Sequence, residues 1–179
     1  MRERYVYRST NKVFPPVEKQ TEYIDAGVVT FGIEYRLLTA AIHAANVGKA
    51  IIGAKTGLSS GYDKGVTLHI FVNEGGVRTE RIRFDSFGED PHYHYMDPAN
   101  SSNELLGIDP SAVGDPLAWA LDVIRTRLPQ MLARSGAEQV SKQVEQSKVD
   151  EALPKVAEAA YRARFRSDDE TVHRNAVNV

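Results

Sequence analysis

The chain has no cysteine at all, so disulfide staples, thiolate zinc sites and cysteine nucleophiles are excluded from the start. It also lacks an apolar run approaching the roughly eighteen residues of a membrane span. Arg2 and Arg4 resemble the charged start of a signal peptide, yet no apolar stretch follows them. A non-secreted, cytoplasmic protein with no membrane partner is expected. The net charge of -2 gives no global pull toward polyanions, so nucleic acid is not the favoured partner. One local lack is informative: between Phe84 and Ile124 there is no Lys or Arg, while eight Asp and Glu residues fall there. That stretch attracts cations, whereas Arg2, Arg4, Arg8 and Lys12 make the N-terminus basic.

What is present suits one ordinary domain. A chain of 179 residues, 42% hydrophobic and 26% charged, can bury a core without staples. Tyr5 to Tyr7 reads as a short strand, and Pro15 and Pro16 mark residues 12–19 as a covering arm. Tyr23 to Phe31 reads as a strand. Leu37, Leu38, Ala41, Ile42 and Ala45 fall at helical spacing with Gly48 as a stop, which predicts a helix, and a glycine-rich connection (Gly53, Gly57, Gly61, Gly65) follows.

The clearest pattern comes next. Val66, Leu68, Ile70 and Val72 alternate with Thr67, His69, Phe71 and Asn73; Glu74, Gly75 and Gly76 turn the chain; Ile82 and Phe84 alternate with Arg81, Arg83 and Asp85. A three-residue turn would pair Leu68 with Ile82 and Val66 with Phe84, putting His69, Arg81, Arg83 and Asp85 together on the opposite face. His92 to Tyr95 reads as the next strand of the meander and 99–114 as a polar loop. Asp115 and Pro116 form an N-cap and first turn. They open a helix striped by Leu117, Leu121, Ile124, Leu128, Met131 and Leu132, kinked at Pro129 and stopped at Gly136, with Trp119 expected in the core.

Beyond it, Val140, Val144, Val149, Leu153, Val156 and Ala160 draw only a thin apolar line. The expectation is therefore an α+β domain over 1–136, an antiparallel meander of three or more strands packed against the Leu37 and Leu121 helices. A helical extension and tail over 137–179 would serve as an interface to another copy or to a protein partner. The aromatic and basic run Tyr161 to Arg166 fits the end of such an interface as well as a grip on nucleic acid.

Candidate chemistry concentrates in Pro91-His92-Tyr93-His94-Tyr95. On a strand both imidazoles point to one side and both phenols to the other, with about 7 Å between the histidines. His92 and His94 can converge on one divalent metal, with Asp85, Asp97 or His69 as a third ligand. No other cofactor is called for. A metal-free alternative uses His92 and His94 as acid and base, Asp85 to orient them and Arg83 to neutralise a phosphorane, enough to cleave RNA. His69 and Arg81 would help to bind the ligand. The bland alternative is a pair of solvated histidines beside cross-strand ion pairs.

The hairpin with Arg83-Phe84-Asp85, the Pro91-His92-Tyr93-His94 step and the Asp115 helix resemble, over residues 66–132, small bacterial toxins of the TumE type. That resemblance implies a metal-independent ribonuclease of a toxin–antitoxin system. The chain is also similar to an uncharacterised bacterial family bearing the His-Tyr-His-Tyr segment, which implies no activity. The leading expectation is a bacterial or phage-encoded assembly or binding protein whose His/Arg/Asp sheet face is the ligand site, with the toxin-like ribonuclease as the alternative.

Overall fold

In a computed structural model, residues 6–9, 14–42 and 62–177 are described. Seven strands form one antiparallel sheet: β1 (Val6–Ser9), β2 (Thr21–Ala26), β3 (Val29–Thr39), β4 (Tyr62–Glu74), β5 (Val77–Phe87), β6 (His92–Asp97) and β7 (Ser102–Gly107). Their order is β1-β7-β6-β5-β4-β3-β2, so β2 to β7 run as a meander and β1 joins at the β7 edge. The helices are α1 (Pro110–Val113), α2 (Pro116–Arg134), α3 (Glu138–Ser141), α4 (Gln146–Arg164) and α5 (Asp169–Val177). The α+β architecture is as the patterning indicates.

Several local expectations are corrected. Tyr23 to Phe31 is a hairpin rather than one strand, because Gly27 takes a φ of 72° and lets Ala26 pair with Val29. Leu37 to Thr39 belong to the eleven-residue β3, not to a helix; helical backbone begins only at residue 40, and 43–61, with most of the glycine-rich passage, lie outside the described residues. The polar loop contains β7, paired on both sides. The central hairpin turns on two residues, since Gly75 and Gly76 both take positive φ and Glu74 pairs with Val77. A bulge opposite Ile70 and Phe71 then brings Ile70 to Ile82 and Leu68 to Phe84, two residues from the expected register. A shift of two preserves the faces.

One face of the sheet carries Val29, Phe31, Ile33, Val66, Leu68, Ile70, Ile82 and Phe84 against α2 and α4. Asp115 caps α2 by accepting from the Leu117 N–H at 3.0 Å, and the helix runs on through Pro129. It ends in a Schellman turn: Gly136 takes φ 85°, its N–H donates to Ala133 O, and the Ala137 N–H donates to Leu132 O. Trp119 is half-buried and packs on Phe84 and Tyr93 rather than lying deep in the core.

The second covering helix is α4, not a Leu37 helix. The thin apolar line expected to lie on a neighbour packs on this chain's own sheet: Val149, Val156 and Ala160 are fully buried in the same core as Leu68 and Phe84. The tail is α5, whose Val172 and Ala176 join Val17, Tyr35, Leu37 and Ile42 where β3 runs past the start of β2.

The β4–β5 junction leaves no room for a side chain at Gly65. A Cβ there would strike the Ser86 carbonyl and lie 2.9 Å from Phe87 Cα, both backbone. Gly65→Ala is expected to destabilise the protein by about 1–3 kcal/mol, the scale of overpacking, read as a lower urea midpoint. A shift below about 0.5 kcal/mol would show that the strands part freely at this point.

Candidate metal centre on the polar sheet face

The second face of the sheet is polar and nevertheless buried. Strand register lays its side chains in two cross-strand rows: Glu34, Thr67, Asp85 and His92 in one; Gly32, His69, Arg83 and His94 in the other. Alternation supplies this arrangement, because each strand contributes every second residue to the face. Gly32 leaves space for its neighbours, since a Cβ there would come within 3.2 Å of His69 Cβ. The arm crosses above: Phe14 O accepts from Arg83 Nη2 at 2.8 Å, and Pro15 O from Arg36 Nη2 at 3.1 Å. The histidines are therefore not solvated, His92 being 8% exposed and His94 6%.

Two clusters occupy the face. In the first, His69 stands between carboxylates, with Nδ1 2.6 Å from Glu80 Oε1 and Nε2 3.0 Å from Glu34 Oε2. Arg83 forks onto Glu80, donating from Nε at 2.8 Å and from Nη2 at 2.7 Å. Arg36 lies 3.5 Å from Glu34. Burial alone would raise both carboxylates, but Arg36 and His69 hold Glu34 below the ordinary range, and Arg83 and His69 hold Glu80 far below it. Signs balance here, as buried ions require.

The second cluster is Asp85, His92 and His94. Asp85 Oδ2 lies 3.3 Å from His92 Nε2 and 3.2 Å from His94 Nε2, and the three ligand atoms lie within 4.8 Å of one another. Each member is oriented from behind. Thr67 Oγ1 donates to Asp85 Oδ1 at 2.5 Å, His92 Nδ1 is 2.6 Å from Asp90 O, and His94 Nδ1 is 2.9 Å from Asn103 Oδ1. Burial would raise Asp85, yet its close contacts with His92 and His94 and the nearby Arg83 charge keep it well below the carboxylate range. Burial would lower His92, but Asp85 outweighs it and the net shift is upward; for His94 burial and the charge of His92 win, and the shift is downward.

Of the residues singled out in the sequence, Asp85, His92 and His94 are brought together, and His69 and Arg83 lie beside them in the adjoining ion cluster. Arg81 is taken elsewhere. As the extra residue of the bulge it donates to Glu74 at 2.7 Å, to Ser135 O at 3.1 Å and to Asp97 at 3.3 Å, toward the end of α2. Asp97 is thereby engaged away from the histidines. Tyr93 and Tyr95 do take the helix side, Tyr93 stacking on Phe84 and meeting Tyr95 edge to face.

Glu34, Glu80, Thr67 and Asn103 were not singled out by sequence. Thr67 was legible from alternation. Glu80 was not, because simple alternation puts it with Ile82 on the apolar face and the bulge reverses that.

The family described as a domain of unknown function, DUF7700, matches residues 23–160. The match runs from β2 through most of α4 and includes both polar clusters. An uncharacterised family is what the His-Tyr-His-Tyr segment suggested, whereas no match supports the likeness to TumE-type toxins. No curated protein and no solved structure matches the chain. Among the described residues no helix is long and apolar enough to cross a membrane.

Proposed function

The chain belongs to the DUF7700 family, and we propose that it is a metal-binding protein whose Asp85, His92 and His94 hold one divalent transition ion. The observation that carries this is the direction of the ring nitrogens. A backbone carbonyl can only accept, so the proton facing Asp90 O sits on His92 Nδ1; the Asn103 carbonyl oxygen fixes His94 in the same way. When the rings are neutral, this tautomer leaves the lone pair on each Nε2, and both Nε2 atoms face the Asp85 carboxylate. Three electron-rich atoms converge, and a cation is what satisfies them.

A single proton can bridge only one edge of that triangle. A metal ion serves all three. Bonds of about 2.0–2.2 Å from nitrogen and oxygen to tetrahedral zinc imply ligand separations of about 3.3 Å, and the two Nε2–Oδ2 distances are 3.3 and 3.2 Å. The donor set of two imidazoles and one carboxylate suits zinc, iron(II), cobalt(II) or nickel(II) rather than calcium or magnesium. Outer partners on all three ligands, Thr67, Asp90 O and Asn103, are the support that metal sites use to fix ring orientation.

The metal-free ribonuclease has less in its favour, because the Arg83 fork is engaged by Glu80 and Phe14 O. Protein stripped with chelator is expected to take up one Co²⁺ per chain, with a rise in melting temperature, since a ligand bound only by the folded state stabilises it. His94→Ala and Asp85→Ala should each abolish stoichiometric uptake. Wild-type protein that takes up no cobalt or zinc at micromolar concentrations would refute the metal reading. RNA cleavage that persists in chelator and is lost in His92→Ala would favour the acid–base alternative.

A further inference from the structure

Asp63, at the start of β4, is 3% exposed and faces no cation in the hydrogen bonds it makes. Its carboxylate is instead wrapped by backbone N–H groups. Lys64 N donates to Oδ1 at 2.8 Å and Gly88 N at 3.0 Å; Glu89 N reaches both oxygens at 3.1 Å; Asp90 N donates to Oδ2 at 2.9 Å. Three successive N–H groups turned onto one anion form a nest, a concavity that backbone adopts around negative charge. The segment 88–90 joins β5 to β6, and the nest holds it, together with the Gly88 N–H, which also donates to Lys64 O at 3.2 Å.

The carbonyl at the end of that nest is Asp90 O, the acceptor 2.6 Å from His92 Nδ1. Asp63 therefore reaches His92 by two hydrogen bonds and the backbone of one residue, Asp90. The next residue, Pro91, is held from the other side, its carbonyl accepting from Ile108 N at 2.8 Å. The short loop is pinned by β4 at one end and by the β7 exit at the other.

Resting on the metal reading above, we infer that Asp63 is a positioning residue for the metal centre, fixing through the 88–90 nest the ring orientation and tautomer of His92. It touches no metal. Its negative charge is needed because an amide in its place turns an N–H donor toward at least two of the four N–H groups around it. The nest would then open and Asp90 O would leave the ring.

The test uses the full chain with Asp63→Asn, and Asp63→Ser as a second variant that keeps an oxygen acceptor without an amide donor. Three readouts are compared with wild type: Co²⁺ affinity by calorimetry, the visible spectrum of the cobalt form, and the ¹⁵N shifts of His92 in metal-free protein. Loss of an outer partner typically weakens a metal site by about 10–100-fold, and a weakening of about tenfold or more is expected, with an altered cobalt spectrum and a His92 ring that samples both tautomers. A residue serving the fold alone would lower the melting temperature while leaving the affinity and spectrum of the folded protein unchanged, and that result overturns the proposal. Failure of both variants to fold would assign Asp63 to the fold alone and overturns it as well. If wild type binds no cobalt the metal reading fails separately, and the His92 ¹⁵N shifts still decide whether Asp63 orients the ring.

Discussion

Deleting residues 137–179 will abolish folding instead of releasing a smaller soluble domain. The reason is where α4 puts its apolar line. Val149, Val156 and Ala160 are fully buried and Leu153 is nearly so, all in the cluster that holds Phe31, Leu68 and Phe84. Burying one such large aliphatic side chain is worth about 1.5–3 kcal/mol, so Val149, Leu153 and Val156 alone contribute on the order of 5–9 kcal/mol. Whole domains are stable by only about 5–15 kcal/mol. Removal would also uncover the β2 and β3 side of the sheet, leaving Val29, Phe31 and Ile33 facing water. The truncated chain should be insoluble or lack a cooperative melt by circular dichroism. A soluble product with a sharp thermal transition would show that α2 alone can close the core, and would return 137–179 to the status of an extension.

The misreading of that segment has a physical origin. Much of the buried face of α4 is made of small residues, Ala152, Ala159 and Ala160, so the sequence shows only a thin stripe of large apolar side chains. Features set by neighbours in sequence were legible: the alternation of β4 and β5, the paired glycines of their turn, the Asp115-Pro116 start of α2, and the split of histidines from tyrosines along β6.

Features set by distant covers were not. In β3, Ile33, Glu34, Tyr35, Arg36 and Leu37 are all buried, because the arm and α5 cover what an ordinary half-exposed strand leaves open. The alternation vanished there, helical spacing of Leu37, Leu38, Ala41 and Ile42 took its place, and Glu34 was lost to view as a partner of His69. The three candidate ligands, Asp85, His92 and His94, were thus visible, and so were His69 and Arg83 beside them. The surrounding Glu34, Glu80, Asn103 and Asp63 depend on a bulge, on β7 and on contacts from 25 residues or more away, which no local pattern encodes.

The other large effect is expected at Arg83, which is 2% exposed. Arg83→Met keeps the stem and removes the fork, leaving Glu80 with the His69 Nδ1 contact and Phe14 O without its 2.8 Å donor. Breaking one side of a buried ion pair typically costs about 3–5 kcal/mol, more than the pair itself contributes over an apolar substitute. The double variant Arg83→Met/Glu80→Leu leaves neither charge unpaired and should therefore lose less than the single one, a reversal of simple additivity.

Acid provides an independent reading of the same network. Glu34 and Glu80 both titrate below their ordinary 4.5 in the folded state, so the stability they contribute is complete above that value and disappears as pH falls through the folded values. Wild-type unfolding free energy, measured in urea, should drop between pH 5 and pH 3. In Arg83→Met, where the strongest influence holding Glu80 down is gone, that drop should be smaller because part of it has already been lost at neutral pH. A single variant within about 1 kcal/mol of wild type, or one with an undiminished acid slope, would mean that the Glu80–Arg83 fork is surface-like in strength despite its burial.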